Sequence, residues 1–221
     1  MSMTDQEFDA ALVSAVFTEA GLRGWRRASI VEAARIAGLD LVRTRQRFPS
    51  KLFVLMRFGS IADQAALTGA ATEGPVKDRL FDMLMRRFDV LQANRAGVIA
   101  VLDAAVMDPL LGLFLARLSA RSMEWLLEGA GISAGGLRGR LRVKGLLGVW
   151  LWSVRAWRAD DSTDLAATMT ATDKALDRAG ELARTIGDGR DARSEAGGAE
   201  PSGAEPPFDG GARPPTDDPS I

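Results

Sequence analysis

Apolar residues along this chain recur at intervals of three and four, the period of an α-helix. Nowhere do they alternate with period two for long enough to make a strand. Phe8, Ala11, Leu12, Ala15 and Val16 form one stripe behind Thr4 and Glu7 at capping-box spacing, which predicts a first helix over Asp5–Ala20, broken by Gly21 and Gly24. Ser29 and Glu32 repeat that spacing before Ile30, Ala33, Ala34 and Ala37, a short helix closed by Gly38. Asp40 caps a third short helix, which must stop near Arg47 because Pro49 disfavours helical geometry at Phe48. Ser50 caps a fourth, reaching about Ala71, and Pro75 opens a fifth carrying Leu80, Phe81, Leu84, Met85, Phe88 and Leu91. A sixth spans Asn94–Met107, and Asp108-Pro109 starts a seventh that ends at Gly129. After a glycine-rich loop an eighth helix runs over Leu137–Trp157. Asp160 to Asp164 then cap a ninth, with Leu165, Met169, Leu176, Leu182 and Ile186 on one side. The expected class is all-α: an N-terminal three-helix unit followed by a helical domain, about nine helices in all.

Composition narrows the chemistry. The 221 residues include no Cys, His or Tyr, which removes thiolate nucleophiles, the usual general base and the commonest metal ligands. Asp160, Asp161 and Asp164 are explained as helix caps and solvated loop acids rather than as a cation site. The chain therefore reads as a non-enzyme with neither metal nor cofactor. No export signal is visible at the polar N-terminus, and the most apolar run, Gly145 to Val154, is too short to span a membrane, so a cytoplasmic location is expected.

The formal net charge of −1 hides a segregation. From Gly21 to Arg57 all nine charged residues other than Glu32 and Asp40 are basic, a local excess of +7. Residues 187–221 hold three basic and eight acidic groups among many Gly and Pro, with only Phe208 and Ile221 as large apolar side chains. That segment is expected to be a disordered acidic tail, because so little apolar surface cannot offset the entropy of ordering. The expected domains are 4–57, 58–186 and the tail, 187–221.

The two short helices joined at Gly38–Asp40 make a helix-turn-helix, and the second reads Leu-Val-Arg-Thr-Arg-Gln-Arg over residues 41–47. At about 100° per residue Arg43 and Arg47 share a face and Arg45 points away, so the three straddle the helix, placed for a DNA groove and its flanking phosphates. Arginine suits bidentate contact with guanine or phosphate.

These residues resemble the TetR-type transcriptional regulators. The family pattern is a small hydroxyl residue before helix 2, an Ala-Gly turn, a recognition helix and a closing Phe-Pro-Ser-Lys. Its counterparts here are Gly24-Trp25, Ser29, Ala33-Ala34, Ala37-Gly38-Leu39-Asp40 and Phe48-Pro49-Ser50-Lys51. The resemblance covers about the first 60 residues and implies a dimeric repressor that binds a double-stranded DNA operator and is released by a small apolar effector. It implies DNA contacts at Ser29, Leu41, Val42, Arg43, Arg45, Gln46, Arg47 and Lys51, with bases near Leu41, Val42 and Arg43 and phosphates near Ser29, Arg45 and Lys51. An effector pocket is expected among Phe81, Met85, Phe88, Leu102, Phe114, Met123 and Trp125, whose Met- and Phe-rich character suits an adaptable cavity. A homodimer interface is expected at Leu147, Trp150, Leu151, Val154, Leu165, Met169 and Leu176, since the eighth helix is apolar almost all round and Gly145 and Gly148 permit close approach.

There are departures. Thr44 stands where the family carries a core Leu, Ala33 where it carries Ile, and Gly21 to Arg23 lengthen the turn after the first helix. Gly24-Trp25 and the Asp-rich turn at residues 160–164 also resemble TetR-like lipid-binding accessory proteins of ubiquinone biosynthesis, which do not bind DNA. Three arginines in the third helix favour the DNA-binding branch.

Overall fold

The computed structural model describes the backbone of residues 3–197 and the side chains of residues 3–185, and the rest of the acidic tail lies outside the described residues. The described elements are α1 (Asp5–Arg23), α2 (Ile30–Ile36), α3 (Leu41–Arg47), α4 (Lys51–Leu67), α5 (Val76–Ala93), α6 (Arg95–Met107), α7 (Pro109–Gly129), α8 (Gly136–Arg158) and α9 (Ala166–Gly197), with no strand among the described residues. Among the described residues, those up to Ala183 form one unit and those from Arg184 another. In the first, a continuous apolar core joins Leu12, Val16 and Phe17 of α1 to Leu84 and Phe88 of α5, Met123 and Leu126 of α7, and Trp157 of α8. No single described helix is long and apolar enough to cross a membrane.

Helix starts follow the side chains that satisfy their orphan N–H groups. Thr4 and Glu7 form the reciprocal capping box of α1. Asp108 accepts from the Leu110 and Leu111 amides at the start of α7, where Pro109 takes the position that needs no donor. Ser50 makes no side-chain capping bond, contrary to expectation. The N-terminus of α9 is anchored more strongly than a simple cap. Asp160 accepts from the Ser162 amide and hydroxyl on one oxygen, and on the other from the Thr168 amide at 2.8 Å and hydroxyl at 2.7 Å. Burial would raise the Asp160 carboxyl, but these hydrogen bonds outweigh it and hold the pKa at about 2. Leu165 begins no stripe: it sits before α9 at φ 56°, a conformation unusual for a branched residue, with its side chain buried.

Two boundaries differ for identifiable reasons. Gly21 does not end α1, which runs on to Arg23 and stops at Gly24 with φ 81°. A Cβ on Gly21 would lie 2.8 Å from the Ala96 Cβ, and one on Gly97 would lie 2.2 Å from the Phe17 carbonyl oxygen. These glycines allow α1 and α6 to pack at short range, so Gly21–Arg23 lengthen the helix rather than the turn. At the other end of the N-terminal unit α4 stops at Leu67, before Gly69 with φ 64°, and short of Ala71. The backbone of α9 continues past Ile186 to Gly197, into the segment read as tail.

Candidate nucleic-acid interface

The turn between α2 and α3 is built by its backbone. Gly38, with φ 65°, lets the Leu39 amide donate to the Ala34 carbonyl at 2.8 Å and its own amide donate to the Arg35 carbonyl at 3.1 Å, the Schellman arrangement that ends a helix cleanly. Asp40 then accepts from the Arg43 amide at 2.7 Å and starts α3. Thr44, in the place of a larger apolar residue, is buried, and its hydroxyl donates to the Asp40 carbonyl at 2.7 Å. That bond removes the cost of burying an unpaired hydroxyl. Beside it Phe48 and Trp25 are buried, and Phe17 stacks on Phe58 with ring centroids 4.3 Å apart.

With Thr44 inward, α3 presents Leu41, Val42, Arg45 and Gln46 outward. Val42 is 67% exposed. The other two arginines turn toward α1. Arg43 donates to the Met3 carbonyl at 3.0 Å and pairs with Asp5, its guanidinium 4.4 Å from the Phe8 ring centroid. Arg47 engages both oxygens of Asp9 and also reaches Asp5 at 2.7 Å, while Arg57 of α4 pairs with Asp9 at 2.8 Å. The hydrogen bond from Arg43, reinforced by the charge of Arg47, holds the Asp5 carboxyl below the usual carboxylate range. The bond to Asp9 raises Arg47.

Exposure separates the two acids. The Asp5 side chain is 65% exposed and that of Asp9 only 4%. A solvated ion pair is weak and exchangeable, whereas breaking a desolvated one strands a charge. Arg43 can thus leave Asp5 for another anion at little cost. Arg47 is fixed to α1 and, through Asp9, to α4.

The remaining DNA-contact candidates are less free than sequence suggests. Arg45 donates to the Pro49 carbonyl at 2.8 Å at the surface. Lys51 donates to the Trp25 carbonyl at 2.8 Å and the Arg26 carbonyl at 3.1 Å, and partial burial lowers its pKa. Ser29 accepts from the Glu32 amide at 3.3 Å.

The candidate effector and interface residues are only partly where sequence placed them. Phe88 and Met123 are fully buried filling atoms of the core, Phe81, Met85, Leu102 and Phe114 pack against it, and Trp125 is 57% exposed. Trp150, Leu165 and Leu176 are buried within the chain itself, Trp150 with its ring 4.8 Å from that of Phe88, so they cannot also line a free surface. Leu147 and Val154 pack partly on the same core and Met169 is part-buried, while Leu151 is largely exposed. Periodicity marks which positions are covered, not which chain covers them.

Two concavities are present among the described residues, and of the expected effector-pocket residues only Trp125 lines either. One, about 510 Å³, lies between α8 and α9 and is lined by Trp152, Ala167, Thr170, Ala171 and Lys174 among others. The other, about 440 Å³, lies between α4 and α7 and includes Met56, Asp63, Leu118, Arg121, Ser122 and Trp125. Under it, Asp63 pairs with Arg87 of α5 and accepts from the Ser122 hydroxyl at 2.9 Å. Arg87 lies 4.9 Å from the Trp150 ring centroid, and burial pushes its guanidinium down to about 10.

No family model matches the chain, and no curated protein matches its sequence. Its structure is similar to that of a TetR transcriptional regulator from Nitrosomonas europaea, with TM-score 0.65 and 17% identity over 78% of this chain and 97% of that one. A transcriptional regulator from Rhodococcus sp. Rha1 matches at TM-score 0.47 and 18% identity over 79% and 95%. The fold is that of the TetR transcriptional regulators, all-α with the helix-turn-helix at its N-terminal end.

Proposed function

We propose that this protein is a DNA-binding transcriptional regulator that acts as a dimeric repressor. The observation that carries the reading is the capped α2–turn–α3 unit with an exposed face of Leu41, Val42, Arg45 and Gln46, set in a locally basic segment on a TetR-like fold. Val42 and Gln46 face the bases, with Arg43 reaching a base or phosphate once it leaves Asp5. Arg45 binds phosphate, where its planar fork matches the oxygens. Lys51 and the α2 N-terminus at Ser29 bind the backbone of the duplex, and Arg47 positions α3 from behind.

The second subunit docks on α8 and α9. Exposed Leu151 and Trp152, the open positions at Gly145 and Gly148, and the small residues Ala167, Thr170 and Ala171 support this face. A two-fold dimer would set two α3 helices about one DNA turn apart, roughly 34 Å, over a palindromic site. An effector releases the DNA by preferring the conformation in which that spacing is lost, which requires different affinities for the two states.

The test replaces Val42 and Gln46 with Ala and compares the selected operator with a random duplex by fluorescence anisotropy. These exposed changes leave the fold intact. The expected result is a loss of about 1–3 kcal/mol on the operator and none on random DNA. Equal losses on both would refute base contact by this face.

A further inference from the structure

We propose that the cleft between α4 and α7 is a binding site for apolar monocarboxylates, with Arg121 as the anion-binding residue. The cleft supplies an apolar wall from Met56, Leu67, Leu118 and the half-exposed indole of Trp125, and its volume of about 440 Å³ is that of a small-molecule site. Its polar groups decide the ligand class. Asp63 would repel an anion if its charge were open, but one carboxylate oxygen is taken by Arg87 and the other by the Ser122 hydroxyl. Arg87 is 5% exposed, so the pair forms an electrically neutral floor below the cleft. The Gln64 side chain donates to Ser60. That leaves Arg121, exposed on the cleft wall and without a hydrogen-bond or ion-pair partner among the described residues.

A guanidinium beside an apolar and aromatic wall, over a floor already neutralised, selects a ligand with one negative end and a hydrophobic body. Guanidinium and carboxylate match as two parallel hydrogen bonds, and the indole face takes a flat or extended apolar group. A cationic ligand is disfavoured, because the one acid facing the cleft is already satisfied and Arg121 repels it.

This goes further than the effector reading above, resting on it only for the consequence at DNA. Six of the ten lining residues belong to α4, the helix that begins directly after the helix-turn-helix at Lys51. A ligand in the cleft therefore touches the helix that follows α3 in the chain.

The experiment is calorimetric titration of the full-length protein with indole-3-acetate and decanoate, each against its uncharged amide, repeated with Arg121→Gln and Trp125→Ala. Both substitutions are at exposed positions, and circular dichroism reports whether the fold is kept. Each carboxylate is expected to bind about ten- to hundredfold more tightly than its amide, with that preference lost in R121Q and the affinity of acid and amide alike reduced in W125A. Failure of both carboxylates to bind at millimolar concentration overturns the proposal, as does an acid-over-amide preference that survives R121Q. Operator affinity is read separately. Carboxylate binding that leaves operator affinity unchanged supports the site and refutes its effector role, whereas operator release by a neutral compound with no carboxylate binding refutes the site and leaves the effector reading standing.

Discussion

Asp5 and Asp9 occupy successive turns of α1 and share Arg47 of α3, Asp5 pairing also with Arg43 of α3 and Asp9 with Arg57 of α4, yet removing them should have opposite consequences. Asp9 is 4% exposed, receives two guanidinium N–H groups from Arg47 and forms an ion pair with Arg57. Charge-assisted bonds contribute about 1.5–3 kcal/mol each at full value. The arginines are 31% and 29% exposed and recover part of their hydration when released, so a total of about 2–3 kcal/mol is the appropriate estimate for Asp9→Asn. For a domain of this size that lowers Tm by roughly 5–10 °C. Asp5→Asn should leave the urea midpoint unchanged, because its pairs are solvated. It should instead strengthen binding to any duplex by up to a few-fold and steepen the salt dependence, since it frees a guanidinium for phosphate. Urea unfolding followed by circular dichroism, with anisotropy titrations on random DNA at two salt concentrations, measures both. If Asp5→Asn shifts the midpoint as much as Asp9→Asn, the burial argument that separates Arg43 from Arg47 is wrong.

Other consequences follow from the packing. Gly97→Ala drives a methyl group into the Phe17 carbonyl and should cost about 2–3 kcal/mol in chemical denaturation, whereas Gly148→Ala, which meets open space inside α8, should stabilise the monomer by about 0.5–1 kcal/mol. Asp63→Ala strands the buried Arg87 and should cost about 3–5 kcal/mol, most of it recovered when Arg87→Met is added in a double-mutant cycle. Asp160 has a folded pKa of about 2 against an ordinary 3.8, so its contribution is complete above about pH 4 and is lost as pH falls toward 2. Asp160→Asn should therefore flatten the stability profile over that window, as acid titration followed by circular dichroism would show. Trp152→Glu on the α8–α9 face should shift the molecular mass in sedimentation toward the monomer, and an unchanged dimer would move the interface elsewhere.

Helix starts were legible because capping chemistry is local: Thr4, Ser29, Asp40 and Asp108 cap the helices expected of them. Glycine was legible only where it acts through its own backbone. Gly38 was read correctly from its turn, but Gly21 was misread because its role lies in Ala96, distant in sequence. The shared face of Arg43 and Arg47 followed from helical geometry, and its acidic partners did not. A signal was available, since Asp5 and Asp9 have the same four-residue spacing as Arg43 and Arg47 and suit two helices packed side by side. Trp150 shows the limit of periodicity, which detects burial without saying what does the burying. The α4–α7 cleft was least legible, because Asp63, Arg87 and Ser122 lie on three helices and none stands out on its own.

The central claim, sequence-specific DNA binding by the exposed face of α3, is tested most directly by selecting bound fragments from the source genome with the purified protein and following the affinity of the selected sites against salt. The account predicts enrichment of a palindrome with half-sites about one helical turn apart, bound far more tightly than random DNA and progressively weaker as salt rises. Weak binding that is indifferent to sequence would contradict it.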